Sequence, residues 1–333
     1  MNKIFSQKKI IFGLLCAFII SIASCASAGR LQAPPMEAQR SAWIVYWDWQ
    51  RGIDEAKVSK PDVLVAFAAN FDEAGNLVLH KELTPERLAK LPAEHAYLSF
   101  VNDKQQGGQI LTKDTKVLKK ILAKKTNRSQ HIEEIIALAK QYKFQGVEID
   151  YENIWRDASL MKNFVSFIEE MKVEAEKNQL QLRVVLEPKT LRYAQDLPKD
   201  VEYVVMFYNL YGGHSGPGPK ADRRFIWSTL SAAAKLPGTP NVAFATGGFD
   251  WTAPRKAKSL TQVQAVALQK KYNVKSERDE NSRALHFSYE EGKEKHSVWY
   301  ADAQTLAYWQ ELAEAVGFKR ISIWRLGGSE VTK

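Results

Sequence analysis

Residues 143–155, KFQGVEIDYENIW, carry three carboxylates at every second position, Glu148, Asp150 and Glu152, within a largely apolar run. In an extended strand alternate side chains share a face, so Val147, Ile149 and Tyr151 fall on one side and the three acids on the other. Successive acids then stand about 6.5 Å apart along the strand. As full charges at an effective dielectric near 20, each adjacent pair repels by about 2–3 kcal/mol. One carboxyl is therefore expected to keep its proton near neutral pH, which is how a general acid is made. An edge strand with its acids in water would also give this pattern, but the strand is central in the order and its opposite apolar face implies helix cover. Metal ligation is a third reading. The six histidines show no HExxH or HxH pairing, so no metal is expected.

Outward from this stretch, short apolar runs rich in β-branched or aromatic residues recur. They are AWIVYW (42–47), DVLVAFAA (62–69), AYLSFV (96–101), FQGVEIDY (144–151), LQLRVVLE (180–187), EYVVMFY (202–208), NVAFATGG (241–248) and RISIWRLG (320–327). Near-continuous hydrophobic strands suit a buried parallel sheet. Between them lie amphipathic patterns at 129–142, 157–178 and 301–317, the first opening on a serine with Glu in the first turn and the last stopping at Gly317. Eight strands alternating with helices predict an α/β fold of the (β/α)8 TIM-barrel type. A doubly wound open sheet is the rival, but no Gly-rich phosphate loop follows any strand. Residues 252–300 are too long for a loop and contain strand-like pieces. They predict a small α+β insertion after strand seven, placed to wall one side of a cleft. The sequence runs six residues past the eighth run, to residue 333, so the last helix is expected to be missing. Residues 31–42 are the candidate cover for that gap.

The first residues read as a secretory leader: Lys3, Lys8 and Lys9, then an apolar run from Ile10 to Ala23, shorter than a usual membrane span. Both cysteines of the chain, Cys16 and Cys25, lie in or beside it. IASC resembles a lipobox, which would make residues 1–24 the signal peptide and Cys25 the lipidated first residue. Cleavage after ASA (26–28) is the alternative. Either way no internal disulfide is available. Residues 25–40 read as a tether and 41–333 as the barrel. The expected location is outside the cytoplasm, with the membrane reached through the lipid anchor alone. The net charge of +9 draws on runs such as KVLKKILAKKTNR (116–128), read as a solvated helix face or a weak attraction to an anionic polymer. No zinc-finger spacing and no basic stripe interleaved with aromatics suggest nucleic-acid binding. No partner helix or repeat stands out, so a monomer is expected.

QGVEIDYEN resembles the signature of family 18 glycoside hydrolases, Asp-Gly-x-Asp-x-Asp-x-Glu at the end of the fourth barrel strand. It is most similar to the branch of spore-cortex-lytic and YaaH-like enzymes. FAANFDEAGNLVL (67–79), YLSFVND (97–103), LEPKT (186–190), GGFDW (247–251), HSVWYAD (296–302) and ISIWRLGGSE (321–330) follow that branch in barrel order. The resemblance implies an exported, retaining, cofactor-free glycosidase that acts on β-linked N-acetylglucosamine in peptidoglycan or chitin-type oligosaccharides. It implies Glu152 as the acid, Asp150 and Tyr208 as residues that hold the substrate's 2-acetamido group, and Glu148, Asn209 and Trp324 as substrate-binding residues, Trp324 being the floor beneath the sugar. Four positions depart from the pattern: Gln145, Glu148, Asn209 and Ala301. A lectin-like binder that holds such polymers without cutting them is the alternative.

Overall fold

The computed structural model describes residues 37–329, so the leader, Cys25 and most of the tether lie outside the described residues. Eight parallel strands form the body: β1 (Gln39–Val45), β2 (Val63–Phe71), β3 (His95–Gln106), β4 (Gly146–Asp150), β5 (Gln181–Leu186), β6 (Glu202–Met206), β7 (Thr239–Ala245) and β8 (Arg320–Trp324). Each pairs with its neighbours in chain order, β8 returns to β1, and the sheet closes into a barrel. β1 begins at Gln39, inside the segment read as tether. Residues 39–42 therefore belong to the barrel wall.

Alternation along the strands sorts their side chains into two apolar sets. One face, with Val147, Ile149 and Tyr151 of β4 and its extension, packs outward with Phe164 and Phe167 of the helix Ala158–Lys177. The other face fills the barrel with Trp43, Val65, Tyr97, Val185, Val204 and Met206. The helix after β4 starts where Asp157 accepts the N–H bonds of Ser159 and Leu160 at 3.0 Å, an N-cap that satisfies orphan donors. The helix before β4 runs Lys125–Gln141, so Ser129 lies within its first turns and does not start it. After β5 the connection is a 3-10 stretch, Pro188–Asp196, in place of a full helix.

The insertion begins earlier than residue 252. Its antiparallel sheet comprises Gly247–Ala253, Lys256–Leu260, Glu277–Arg278, Leu285–Glu291 and Glu294–Ala301, with the helix Gln262–Tyr272 against it. GGFDW thus belongs to the first insertion strand. Gly248 is required there, since a Cβ would lie 1.7 Å from the Trp299 carbonyl oxygen. The Asp of GGFDW and the His of HSVWYAD meet inside this sheet. Asp250 accepts the Tyr289 hydroxyl at 2.7 Å and faces His296 Nδ1 at 2.9 Å. Among the described residues, no helix is long and apolar enough to cross a membrane.

Candidate active site

The acids of β4 are graded by depth. Glu148 is fully buried in the barrel, where Trp43 Nε1 donates to it at 2.7 Å and Arg183 Nη2 stands 3.2 Å from its other oxygen. Burial pushes its proton affinity up, against the pull of Arg183. Asp150 is buried one step nearer the strand's C-terminal end. Its carboxyl is held well above the usual range by burial, then by the charges of Glu152 and Glu148, with Lys113 opposing. Glu152 lies just past the strand end and is half-buried. Its carboxyl is also raised, chiefly by burial, while its ion pair with Lys113 pulls the other way.

The backbone under Glu152 is clamped from both neighbouring strands. Asn102, on β3, accepts the Glu152 N–H at 2.9 Å and donates to its carbonyl at 3.1 Å. The next residue, Asn153, has φ 63° and donates its N–H to Glu187, just past β5, at 2.6 Å. Asn tolerates this left-handed conformation better than most residues, and the turn ends the strand so that Glu152 stands at the barrel mouth. That is the end where barrel enzymes carry their catalytic groups.

Tyr208 follows β6 and packs on the barrel-interior cluster. Its hydroxyl is held well above its usual range by burial, then by the negative fields of Asp150, Glu152 and Glu148. Trp324 closes β8. It meets Trp43 edge-on at 5.8 Å and Phe67 at 4.9 Å, and through Trp43 it joins the hydrogen bond to Glu148. Asn209 instead turns its amide nitrogen to Met206 Sδ at 3.2 Å. Of the departures, Gln145 serves packing at the barrel's other end, accepting from Ala96 N at 2.8 Å and donating to the Lys143 carbonyl at 2.7 Å.

Several site residues carry no signal in the sequence that would assign them a role. Lys113 lies 39 residues before Glu152, between β3 and its following helix, and no local pattern marks it. Arg183 is visible only as one charge within the apolar run of β5. Asn102 and Glu187 sit inside the motifs YLSFVND and LEPKT, which mark them as important without saying for what. Lys220 is a further case. Its ammonium donates to the Thr246 carbonyl at 2.7 Å, and burial with the nearby Arg325 pulls its pKa down to about 7. It lines a cleft of about 500 Å³ between barrel and insertion, with Trp47, Arg51 and Trp324 on one wall and Thr261 and Gln264 on the other. The insertion therefore does wall a cleft beside Trp324.

A closed (β/α)8 barrel with stacked carboxylates at the end of β4 is the framework of a barrel glycosidase. The chain belongs to glycosyl hydrolase family 18, whose family model matches residues 43–328. It is 25% identical over 264 residues to the uncharacterized glycosylase YvbX of Bacillus subtilis (strain 168), covering 74% of each protein. To the cortical fragment-lytic enzyme of the same organism it is 24% identical over 243 residues, 66% of this chain but about half, 53%, of that protein. Among solved structures, the chitinase of Chromobacterium violaceum ATCC 12472 superposes with a TM-score of 0.73 at 18% identity, over 89% of this chain and 96% of that one.

Proposed function

We propose that this glycosyl hydrolase cleaves β-linked N-acetylglucosamine with retention, acting on peptidoglycan as an N-acetylglucosaminidase or on chitin-type oligosaccharides. One observation carries the reading. Glu152, a carboxyl with raised proton affinity, stands at the barrel mouth within the fields shared by Asp150 and Tyr208. In this scheme Glu152 protonates the bridging oxygen. Asp150 and Tyr208 hold the acetamido group, whose oxygen attacks the anomeric carbon, the substrate-assisted route known for this family. Trp324 offers an indole face to the sugar ring and Asn209 a polar rim, while Glu148 steadies Asp150 from below. The similarity to a cortical fragment-lytic enzyme favours peptidoglycan. Turnover of purified peptidoglycan and of chitin oligomers, with products identified by mass, tests the proposal, and wild-type protein that releases no fragment from either would sink it.

A second reading, a binder that does not cut, draws on the Lys113–Glu152 ion pair, which favours the ionised and therefore non-donating form of the acid. The same assay separates the two. For location, we propose export and lipidation at Cys25. Cys25→Ser should move the protein from the membrane fraction to the soluble one or leave precursor, and a mature N-terminus at Gly29 without lipid mass would refute it.

A further inference from the structure

The ion pair on Glu152 raises a chemical question: an enzyme that needs a protonated acid has placed an ammonium against it. The contact is built in. Lys113 N–H donates to Asp103 Oδ1 at 2.8 Å, and the next residue, Asp114, donates its N–H to the Asn102 carbonyl at 2.7 Å. The segment is thus fastened to the strand that also clamps Glu152. The Lys113 side chain is 43% exposed whereas that of Glu152 is 15% exposed, so the lysine is the more open side chain of the pair. Of its three N–H bonds, Glu152 takes one.

We propose that Lys113 reads the leaving sugar, binding a carboxylate carried on its 3-oxygen, so that the preferred substrate is a β-1,4-glycan in which N-acetylglucosamine is followed by a sugar with an acidic 3-O-substituent, the muramic acid type. The inference rests on the glycosidase reading above. The acid must come within hydrogen-bond reach of the bridging oxygen, which is the 4-oxygen of the leaving sugar. The 3-oxygen hangs from the adjacent ring carbon. An ammonium already touching the acid therefore lies beside whatever that oxygen bears. A neutral 3-hydroxyl offers it an ordinary acceptor, and a carboxylate offers a charge-assisted bond about twice as strong. Arrival of that carboxylate also draws the ammonium away from Glu152, which leaves the acid freer to hold its proton. The cleft beside Trp324, on the strand opposite β4 in the eight-stranded ring, has the same sign through Arg51 and Arg325, offset by Asp48 on Arg325, while Lys220, its pKa lowered to about 7 by burial, adds only part of a charge. In an alternating glycan the sugar before the N-acetylglucosamine carries the same acid.

The test is a ratio, because Lys113→Gln also changes Glu152 and will alter turnover of any substrate. Wild type and Lys113→Gln, matched for melting temperature, are compared at one pH on two soluble glycans. One is an alternating glycan freed of its peptides, the other an N-acetylglucosamine oligomer of equal length. The expected result is a fall in the kcat/KM ratio, alternating over uniform, of about tenfold in the variant. Methyl esterification of the muramic carboxylates should lower wild-type kcat/KM by a similar factor and leave the variant unmoved. Equal losses on both glycans, or equal sensitivity to esterification, would overturn the proposal and leave the glycosidase reading intact. If wild type cleaves neither glycan, that reading fails instead. The same ratio, taken from binding affinities of wild type and variant, then decides the role of Lys113 in the same way.

Discussion

Arg183 Nη2 stands 3.2 Å from Glu148 Oε2, with both side chains sealed inside the barrel. The pair continues away from the mouth as alternating charge: Arg183 Nε lies 3.7 Å from Glu202, and Arg320 Nη1 lies 3.0 Å from the other oxygen of Glu202. Ser322 and Asn241 add hydrogen bonds from uncharged side chains, Ser322 Oγ accepting from Arg183 at 3.2 Å and Asn241 donating to Glu202 at 2.8 Å. A buried charge stripped of its partner is far costlier than the intact pair is stabilising. Arg183→Met should therefore cost about 3–5 kcal/mol of stability at neutral pH. The sign with pH follows from Glu148, whose folded-state pKa is already raised and rises further without the arginine. Stability is then lost as pH climbs from the ordinary carboxylate range through that higher value, so the variant should recover part of its deficit in acid. Denaturant titrations at several pH values check this, and a deficit that does not change with pH would remove Glu148 as its cause.

Glu152→Gln keeps the shape of the acid and removes its transferable proton. Turnover should fall by at least about 100-fold, with glycan binding largely retained. The raised affinity of Glu152 places the alkaline limb of kcat above the ordinary carboxylate range, since activity needs the protonated form. Lys113 pulls that affinity down, so Lys113→Gln should move the limb to higher pH. Single-turnover rates across pH measure both effects. An unmoved limb would mean that another group sets it.

The barrel was legible because its strands are buried on both faces and read as apolar runs, and because β4 alternates acid with aliphatic. The boundaries were not. Tyr46 and Trp47 look like strand residues but lie in a 3-10 turn after β1, and Gln39 and Arg40 look like tether but pair with β8. Edge polarity hides a strand start whose partners are distant in sequence. The site divided along the same line. Alternation showed that Glu148, Asp150 and Glu152 face one way, and the motif order pointed to Tyr208 and Trp324. Lys113 and Arg183 act on these acids across 39 and 35 residues of chain, through closures that only the folded barrel makes.

Trp324→Ala separates a floor from a core residue. The indole is half-buried, packed edge-on against Phe67 and Trp43, and it lines the cleft. A sugar ring's apolar face suits an exposed aromatic face. Glycan affinity should drop while stability falls by less than the about 3–5 kcal/mol that loss of a fully buried aromatic costs. Calorimetric binding and thermal melting on the same variant decide it. A collapse in melting temperature would make Trp324 a barrel-core residue.

The spacing of the acids bears on which atom attacks. An ordinary retaining glycosidase sets two carboxyls on opposite sides of the bond, one as nucleophile and one as acid. Here Asp150 and Glu152 come from one strand end, on the same side of the cleft, and the fields that raise Asp150 include both other acids. Burial and like charge shift such a carboxyl toward its protonated form, which is a poorer nucleophile and a better hydrogen-bond donor than the carboxylate. Asp150, with the Tyr208 hydroxyl, is suited to grip an acetamido group and aim its oxygen at the neighbouring anomeric carbon. Such positioning turns a two-body step into an intramolecular one, worth up to about 7–11 kcal/mol in favourable cases. The enzyme should therefore reject glucosyl and deacetylated glucosaminyl oligomers, and a cyclic thiazoline mimic of the intermediate should inhibit it. Asp150→Asn should lower turnover of acetylated substrate while leaving the fold intact, since an amide of the same shape replaces a carboxyl whose burial already favours the uncharged form. Product analysis and intact-protein mass spectrometry distinguish the routes: efficient cleavage of a deacetylated chain, or a sugar trapped covalently on any carboxylate, would exclude attack by the acetamido oxygen.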